Sequence, residues 1–140
     1  MTERYLVDTS ALVRLARDQD LHDRWRGRMA AGVLSVCPIT ELEIFYTARS
    51  LHDRRDLEIM MLGRYAWTLV PDVVFARARE VQELLTERGA HRSAGVIDLL
   101  LAATAEALGL TILHYDRDFL QVSAVTGQPT CWVADPGSVD

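Results

Sequence analysis

Four carboxylates stand out by type and position: Asp8, Glu43, Asp98 and Asp116. Each lies where a strand-like run ends or near the start of a helix-like one, in an otherwise apolar stretch. Asp8 closes Tyr5-Leu6-Val7, and Glu43 follows Ile39-Thr40-Glu41-Leu42. Asp98 stands between Val96-Ile97 and Leu99-Leu100-Leu101, and Asp116 ends the run that begins at Thr111. In an open parallel sheet, ligands collect outside the carboxyl ends of the strands. Carboxylates converging there repel one another unless a cation neutralises them. Hard divalent ions such as Mg2+ or Mn2+ take oxygen ligands. The pattern therefore points to a metal site.

Each position also has a plainer reading. In Asp8-Thr9-Ser10, a carboxylate followed by two hydroxyls suits a metal and its waters, or simply caps a helix. Glu41 and Glu43 are two apart, so on a helix they face different ways and one of them reaches a shared site. A Glu in a first turn is also favoured by the helix dipole. Asp98 is the only charge between Arg92 and Glu106. A carboxylate in so apolar a helix is costly to bury unless it is paired or coordinated. Asp116 could cap a helix or pair with Arg117, and Asp118 could support it. His114 precedes Asp116 by two, so the two share a face on an extended strand. It reads as a site neighbour or as a hydrogen-bonded core histidine. Arg49, Arg54, Arg55 and Arg92 could meet a polyanion or form solvated faces.

The elements that must position these groups alternate short apolar runs with amphipathic stretches, the mark of an α/β fold. Strands are expected at Arg4–Val7, Val33–Cys37, Thr68–Val70, Leu110–Leu113 and Thr130–Val133. Helices are expected at Ala11–Ala16 with Ser10 as cap, Leu21–Ala31, Thr40–Ala48, Leu51–Tyr65, Val73–Arg88, Val96–Leu108 and Phe119–Val125. Val74, Ala78, Val81, Leu84 and Leu85 recur at helical spacing. Gly89 and Gly109 read as helix stops.

At 140 residues, 49% of them apolar, the chain reads as one domain over 1–140 with a core that needs no staples. No apolar run approaches the ~20 residues that cross a bilayer. Met1-Thr2-Glu3-Arg4 leads straight into a strand, so no signal peptide is expected and a cytoplasmic location is. Cys37 and Cys131 read as small buried hydrophobes. A net charge of −5 argues against a nucleic-acid coat protein. It does not exclude a nuclease, whose acidic site is offset by bound metal. All 15 basic residues are Arg. Without Lys there is no Schiff base, no P-loop and no lysine-assisted aspartyl-phosphate chemistry, which removes a phospho-receiver.

Taken together, four segments resemble the PIN-domain ribonucleases, and within them the VapC-type toxins of toxin–antitoxin pairs. They are Val7-Asp8-Thr9-Ser10-Ala11-Leu12, Ile39-Thr40-Glu41-Leu42-Glu43, the stretch from His91-Arg92-Ser93 through Asp98-Leu99-Leu100-Leu101-Ala102-Ala103-Thr104-Ala105, and His114-Tyr115-Asp116-Arg117-Asp118-Phe119. The resemblance implies a three-layer α/β/α sandwich with a mostly parallel sheet and strand 1 at its centre. It maps the acidic quartet of the family onto Asp8, Glu43, Asp98 and Asp116. Asp8, Asp98 and Asp116 would hold Mg2+ or Mn2+, with Ser10, Glu43 and Asp118 in support, for cleavage of RNA phosphodiester bonds. A VapB-like antitoxin and a homodimer follow from the same resemblance, with Phe45, Tyr46, Met60 and Met61 as contact points or core. One departure is that Tyr46-Thr47-Ala48 stands where many relatives carry Gly. The alternative is a catalytically silent PIN-like module that binds RNA or protein. Such a module has no need to keep four mutually repelling acids.

Overall fold

The computed structural model describes residues 3–140; Met1 and Thr2, where the expected leaderless start lies, fall outside it. Five short strands form one sheet in the order β3-β2-β1-β4-β5, and every pairing is parallel. They are β1 (Tyr5–Val7), β2 (Leu34–Val36), β3 (Ala66–Trp67), β4 (Thr111–His114) and β5 (Thr130–Trp132). Strands buried on both faces read as continuous apolar runs, as Tyr5-Leu6-Val7 does. Successive side chains point to opposite faces. Tyr5 and Val7 accordingly enter one core while Leu6 enters the other, and Leu113 and Ile112 divide the same way.

Helices cover both faces. On one lie α1 (Thr9–Arg17), α2 (Gln19–Ala30) and α4 (Leu51–Met61), which contribute Leu12, Leu15, Leu21, Trp25 and Met61. On the other lie α5 (Val74–Glu87), α6 (Val96–Leu108) and α7 (Asp118–Thr126), which contribute Val81, Leu85, Leu101 and Phe119. Helix α3 (Pro38–Tyr46) serves both, with Ile44 in the first core and Ile39 against the second. The expected three-layer sandwich with β1 at its centre is therefore the observed fold.

Several local expectations are corrected. Asp8, not Ser10, caps α1, since its carboxylate accepts the Ser10 N–H. Helix α3 starts at Pro38, two residues before the expected Thr40, because proline at the first helical position needs no N–H partner. Helix α4 stops at Met61 instead of reaching Tyr65, and Gly63 takes the left-handed conformation just beyond (φ +74°). Strand β3 is Ala66–Trp67 instead of Thr68–Val70. It is a two-residue edge strand with both residues exposed, so it lacks the burial that makes strands legible. Val74, Ala78, Val81 and Leu85 are buried as their spacing predicts, while Leu84 is exposed.

Topology brings the acids together. Residues after β1, β2 and β4 emerge at the carboxyl edge of the sheet. Helix α6 descends to β4 through Gly109, whose left-handed φ of +67° reverses the chain. The start of α6, with Asp98 in its first turn, therefore lies at that same edge.

Candidate metal centre and active site

Asp8 follows β1 directly and is only 4% exposed. Its Oδ2 accepts the Ser10 backbone N–H at 3.0 Å and, in a short hydrogen bond, the Ser10 hydroxyl. Ser10 Oγ in turn accepts the Tyr115 N–H at 2.8 Å. Ser10 thus clamps Asp8 to the chain leaving β4, and its O–H is committed to the carboxylate. Burial raises the Asp8 pKa above its ordinary value. The Ser10 hydrogen bonds pull the other way, and the charges of Glu43 and Asp116 add to the rise.

Glu43 and Glu41 part as their spacing predicts. Glu43 Oε1 accepts the Thr9 hydroxyl at 2.8 Å, which turns it toward Asp8. Glu41 Oε1 accepts the Trp67 indole N–H at 2.8 Å, away from the site. Thr9, read from sequence either as a hydroxyl for a metal and its waters or as a helix cap, instead holds Glu43. Its position next to Asp8 was the one available signal.

Asp98 is the third residue of α6, and its Oδ2 accepts the Gly95 N–H at 3.3 Å. Its pKa is pushed up to about 7. Burial is the main cause, the charge of Asp8 comes next, and the Gly95 hydrogen bond opposes both. Asp116 Oδ1 accepts the Asp118 N–H at 2.9 Å, which folds the turn after β4. Burial and the Asp116 charge raise the Asp118 pKa. His114 is fully buried, and its Nδ1 accepts the Asp116 N–H at 3.1 Å. Burial lowers its pKa to about 4 against the opposing pull of Asp116, so the ring is neutral.

One oxygen from each of Asp98, Asp116 and Asp118 lies within 4.8 Å of the other two. Oxygens sharing one divalent ion sit roughly 4–5 Å apart at most, twice the metal–oxygen distance. The donor set is entirely oxygen, as Mg2+ or Mn2+ requires. Among the described residues, no ion pair involves Asp8, Glu43, Asp98, Asp116 or Asp118. Arg14 stacks on Tyr115 and donates to the Ser10 carbonyl instead. An uncompensated acidic cluster in which Asp8, Asp98 and Asp118 hold protons more tightly than usual fits a divalent cation. Asp118, expected as a support, is one of the tight three, and Asp8 stands beside them.

The basic residues fare unevenly. Arg54 and Arg55 both pair with Glu58, and Arg54 also lies over Phe45. Arg49 is exposed near Asp53, and Arg92 is exposed on the turn before α6. Among the suggested contact points, Tyr46 is 90% exposed and Met61 is core, while Phe45 and Met60 are half-buried against the core. Cys37 is buried and Cys131 half-buried, and both are free. Among the described residues, no helix is long and apolar enough to cross a membrane.

Comparison with known proteins agrees with this geometry. The family profile described as PIN domain matches residues 5–125. Ribonuclease VapC21 of Mycobacterium tuberculosis is 43% identical over 138 residues, 99% of each chain. Ribonuclease VapC2 of the same species is 40% identical over 129 residues, 91% of each chain. Among solved structures, DNA-bound VapBC from Salmonella typhimurium superposes with a TM-score of 0.76 at 18% identity, covering 95% of this chain and all of that one. VapBC2 from Rickettsia felis, bound to a promoter DNA fragment, has the same TM-score at 16% identity and covers 91% and 97%.

Proposed function

The chain belongs to the PIN-domain family, among the VapC ribonucleases, and from that premise we propose that it is a metal-dependent endoribonuclease, the toxin of a toxin–antitoxin pair. The observation that carries the reading is the cluster of Asp98, Asp116 and Asp118, one oxygen of each within 4.8 Å of the others, which no ion pair among the described residues neutralises.

In this reading Asp98, Asp116 and Asp118 hold Mg2+ or Mn2+, and Asp8 adds its charge from the side. When bound, such an ion offsets charge growing on the phosphate and acidifies water. Glu43 has Oε1 occupied by the Thr9 hydroxyl, which leaves Oε2 to orient the attacking water and accept its proton. The Ser10 clamp keeps Asp8 from swinging away. Asp98, whose proton affinity burial and the Asp8 charge raise to about 7, would hold the ion only in its deprotonated form. Arg49 and Arg92 supply exposed charge for the RNA backbone. Arg54 and Arg55 supply less, because Glu58 already engages them.

The protein works as one domain over residues 1–140, in the cytoplasm, as a homodimer. A VapB-like antitoxin covers the acidic cleft, where an Arg guanidinium can bridge two carboxylates.

The test is cleavage of total RNA by the purified chain with Mg2+, Mn2+ or EDTA, followed by sequencing of 5′ ends. Sharp cuts that need metal and vanish in Asp116→Asn support the proposal. Cuts that survive EDTA or that substitution contradict it. Metal binding without any cleavage would favour the silent module.

A further inference from the structure

We propose that His114 is a positioning residue for the metal-holding turn, through an Nδ1 lone pair that grips the backbone N–H of Asp116. The inference rests on the reading of Asp116 as a metal holder. It assigns a task to a side chain that this reading otherwise leaves idle.

The geometry is specific. His114 is the last residue of β4 and is fully buried. Its Nδ1 accepts the Asp116 N–H at 3.1 Å. A neutral imidazole has one acceptor and one donor nitrogen, so acceptance at Nδ1 puts the proton on Nε2. Nε2 is buried and has no hydrogen-bond partner among the described residues. The ring packs between Phe119 and Trp132, at centroid distances of 5.1 and 4.8 Å.

That arrangement is not built for packing alone. A buried donor without a partner is destabilising, and an apolar side chain there would remove the Nε2 donor at the cost of the acceptor for the Asp116 N–H. Nor does the ring hold its own strand, since the His114 carbonyl is already engaged by the Val133 N–H at 2.9 Å. What the ring does secure is the turn. Beyond β4 the backbone has left the sheet ladder, and its donors need other partners. Tyr115 N–H goes to Ser10 Oγ at 2.8 Å, Asp116 N–H to His114 Nδ1, and Asp118 N–H to Asp116 Oδ1 at 2.9 Å. The middle grip falls on the backbone of the residue whose carboxylate is grouped with those of Asp98 and Asp118. Without it the Asp116 amide is unpaired, and the peptide is free to rotate its carboxylate out of the cluster.

Three substitutions separate this role from packing. Asn places its carbonyl oxygen where Nδ1 stands, Gln places its amide near Nε2, and Leu provides neither. Each variant is measured for melting temperature without metal, for Mn2+ affinity by calorimetry, and for kcat and KM on RNA. For His114→Leu we expect Mn2+ affinity to fall by about tenfold or more, the usual scale for groups that orient metal ligands. kcat should fall with it, with KM held. Asn should recover most of the loss and Gln should not. Imidazole 15N spectra of the wild-type chain should show the proton on Nε2.

Wild-type Mn2+ affinity in His114→Leu overturns the proposal, as does a Gln variant equal to Asn, or a proton found on Nδ1. If the Leu variant does not fold, the Asn–Gln comparison decides. If the wild-type chain binds no Mn2+, the metal reading itself falls and takes this proposal with it. Equal binding by every variant overturns the proposal alone.

Discussion

Replacing Asp98 by Asn should make the metal-free protein more stable at pH 8, although it removes a group from the site. In the folded chain, burial and the neighbouring Asp8 raise the Asp98 pKa from 3.8 to about 7. The folded state then holds this proton more tightly than the unfolded state. Between those two values folding binds protons, so stability falls as pH rises, and the full penalty is present above about 7. The displacement corresponds to roughly 4 kcal/mol at about 1.4 kcal/mol per tenfold change in proton affinity. Asp98 keeps partial contact with solvent, where ions screen it, so about half of that, ~2 kcal/mol, is the working expectation. Asn carries no charge and still offers an oxygen to the Gly95 N–H. At ~3 °C per kcal/mol for a chain of this size, Asp98→Asn should melt about 6 °C higher than wild type at pH 8 in EDTA. The two should converge toward pH 4, where the wild-type carboxyl is protonated in the folded state and partly protonated in the unfolded one, so little of the penalty is left. Differential scanning fluorimetry across that range is the assay. Equal melting at pH 8 would refute the reasoning. So would a gain that persists unchanged at pH 4, since its source could not be charge.

Four further outcomes follow from the same geometry. Millimolar Mg2+ or Mn2+ should raise the wild-type melting temperature by mass action, and more at pH 8 than at pH 5.5, because protons on Asp98 compete with the ion; a shift independent of pH would contradict the competition. Ser10→Ala should cost about 1–3 kcal/mol in urea unfolding, since the Tyr115 N–H loses its acceptor and Asp8 loses its clamp; an unchanged midpoint would show the clamp to be idle. Expression of the wild-type chain should arrest growth and Asp8→Asn should relieve it, so a soluble, fully toxic variant would remove Asp8 from the site. With antitoxin bound through an Arg in the cleft, raising Mg2+ should partly restore cleavage, whereas inhibition insensitive to Mg2+ would place the block on the RNA groove instead.

Much of this site was legible because charge is conspicuous in an apolar setting. Asp98 in the α6 sequence had no inexpensive solution other than pairing or a cation, and burial at the sheet edge is what the structure shows. Helix α6 itself was readable to the residue, with Gly109 as a left-handed stop. Asp118 was harder to rank. Its place in the tight cluster depends on the turn folded by the Asp116 carboxylate, and nothing in the local pattern of Asp116-Arg117-Asp118 fixes that geometry. Thr9 and Ser10 were both readable as caps. Their actual partners, Glu43 and Tyr115, lie 34 and 105 residues away, beyond the reach of local pattern. Strand β3 escaped for the opposite reason: with Ala66 and Trp67 exposed at an edge, propensity alone did not favour them over Thr68–Val70.

The pairing of β1 with β4 joins residues 5–7 to residues 111–113. During synthesis the amino-terminal half is exposed first. Asp8 then waits as an ordinary solvated carboxylate until the strand that will carry Asp116 arrives beside it. Closing so long a stretch of chain is slow compared with forming local helices. On the proposed site, nuclease competence is in this sense dated: it would begin only when both ends of the sheet's central pair have been made and joined. Any fragment that stops short of β4 lacks both Asp116 and Asp118. A single cut in the exposed turn around Arg92, followed by separation of the pieces, would return the molecule to that earlier stage.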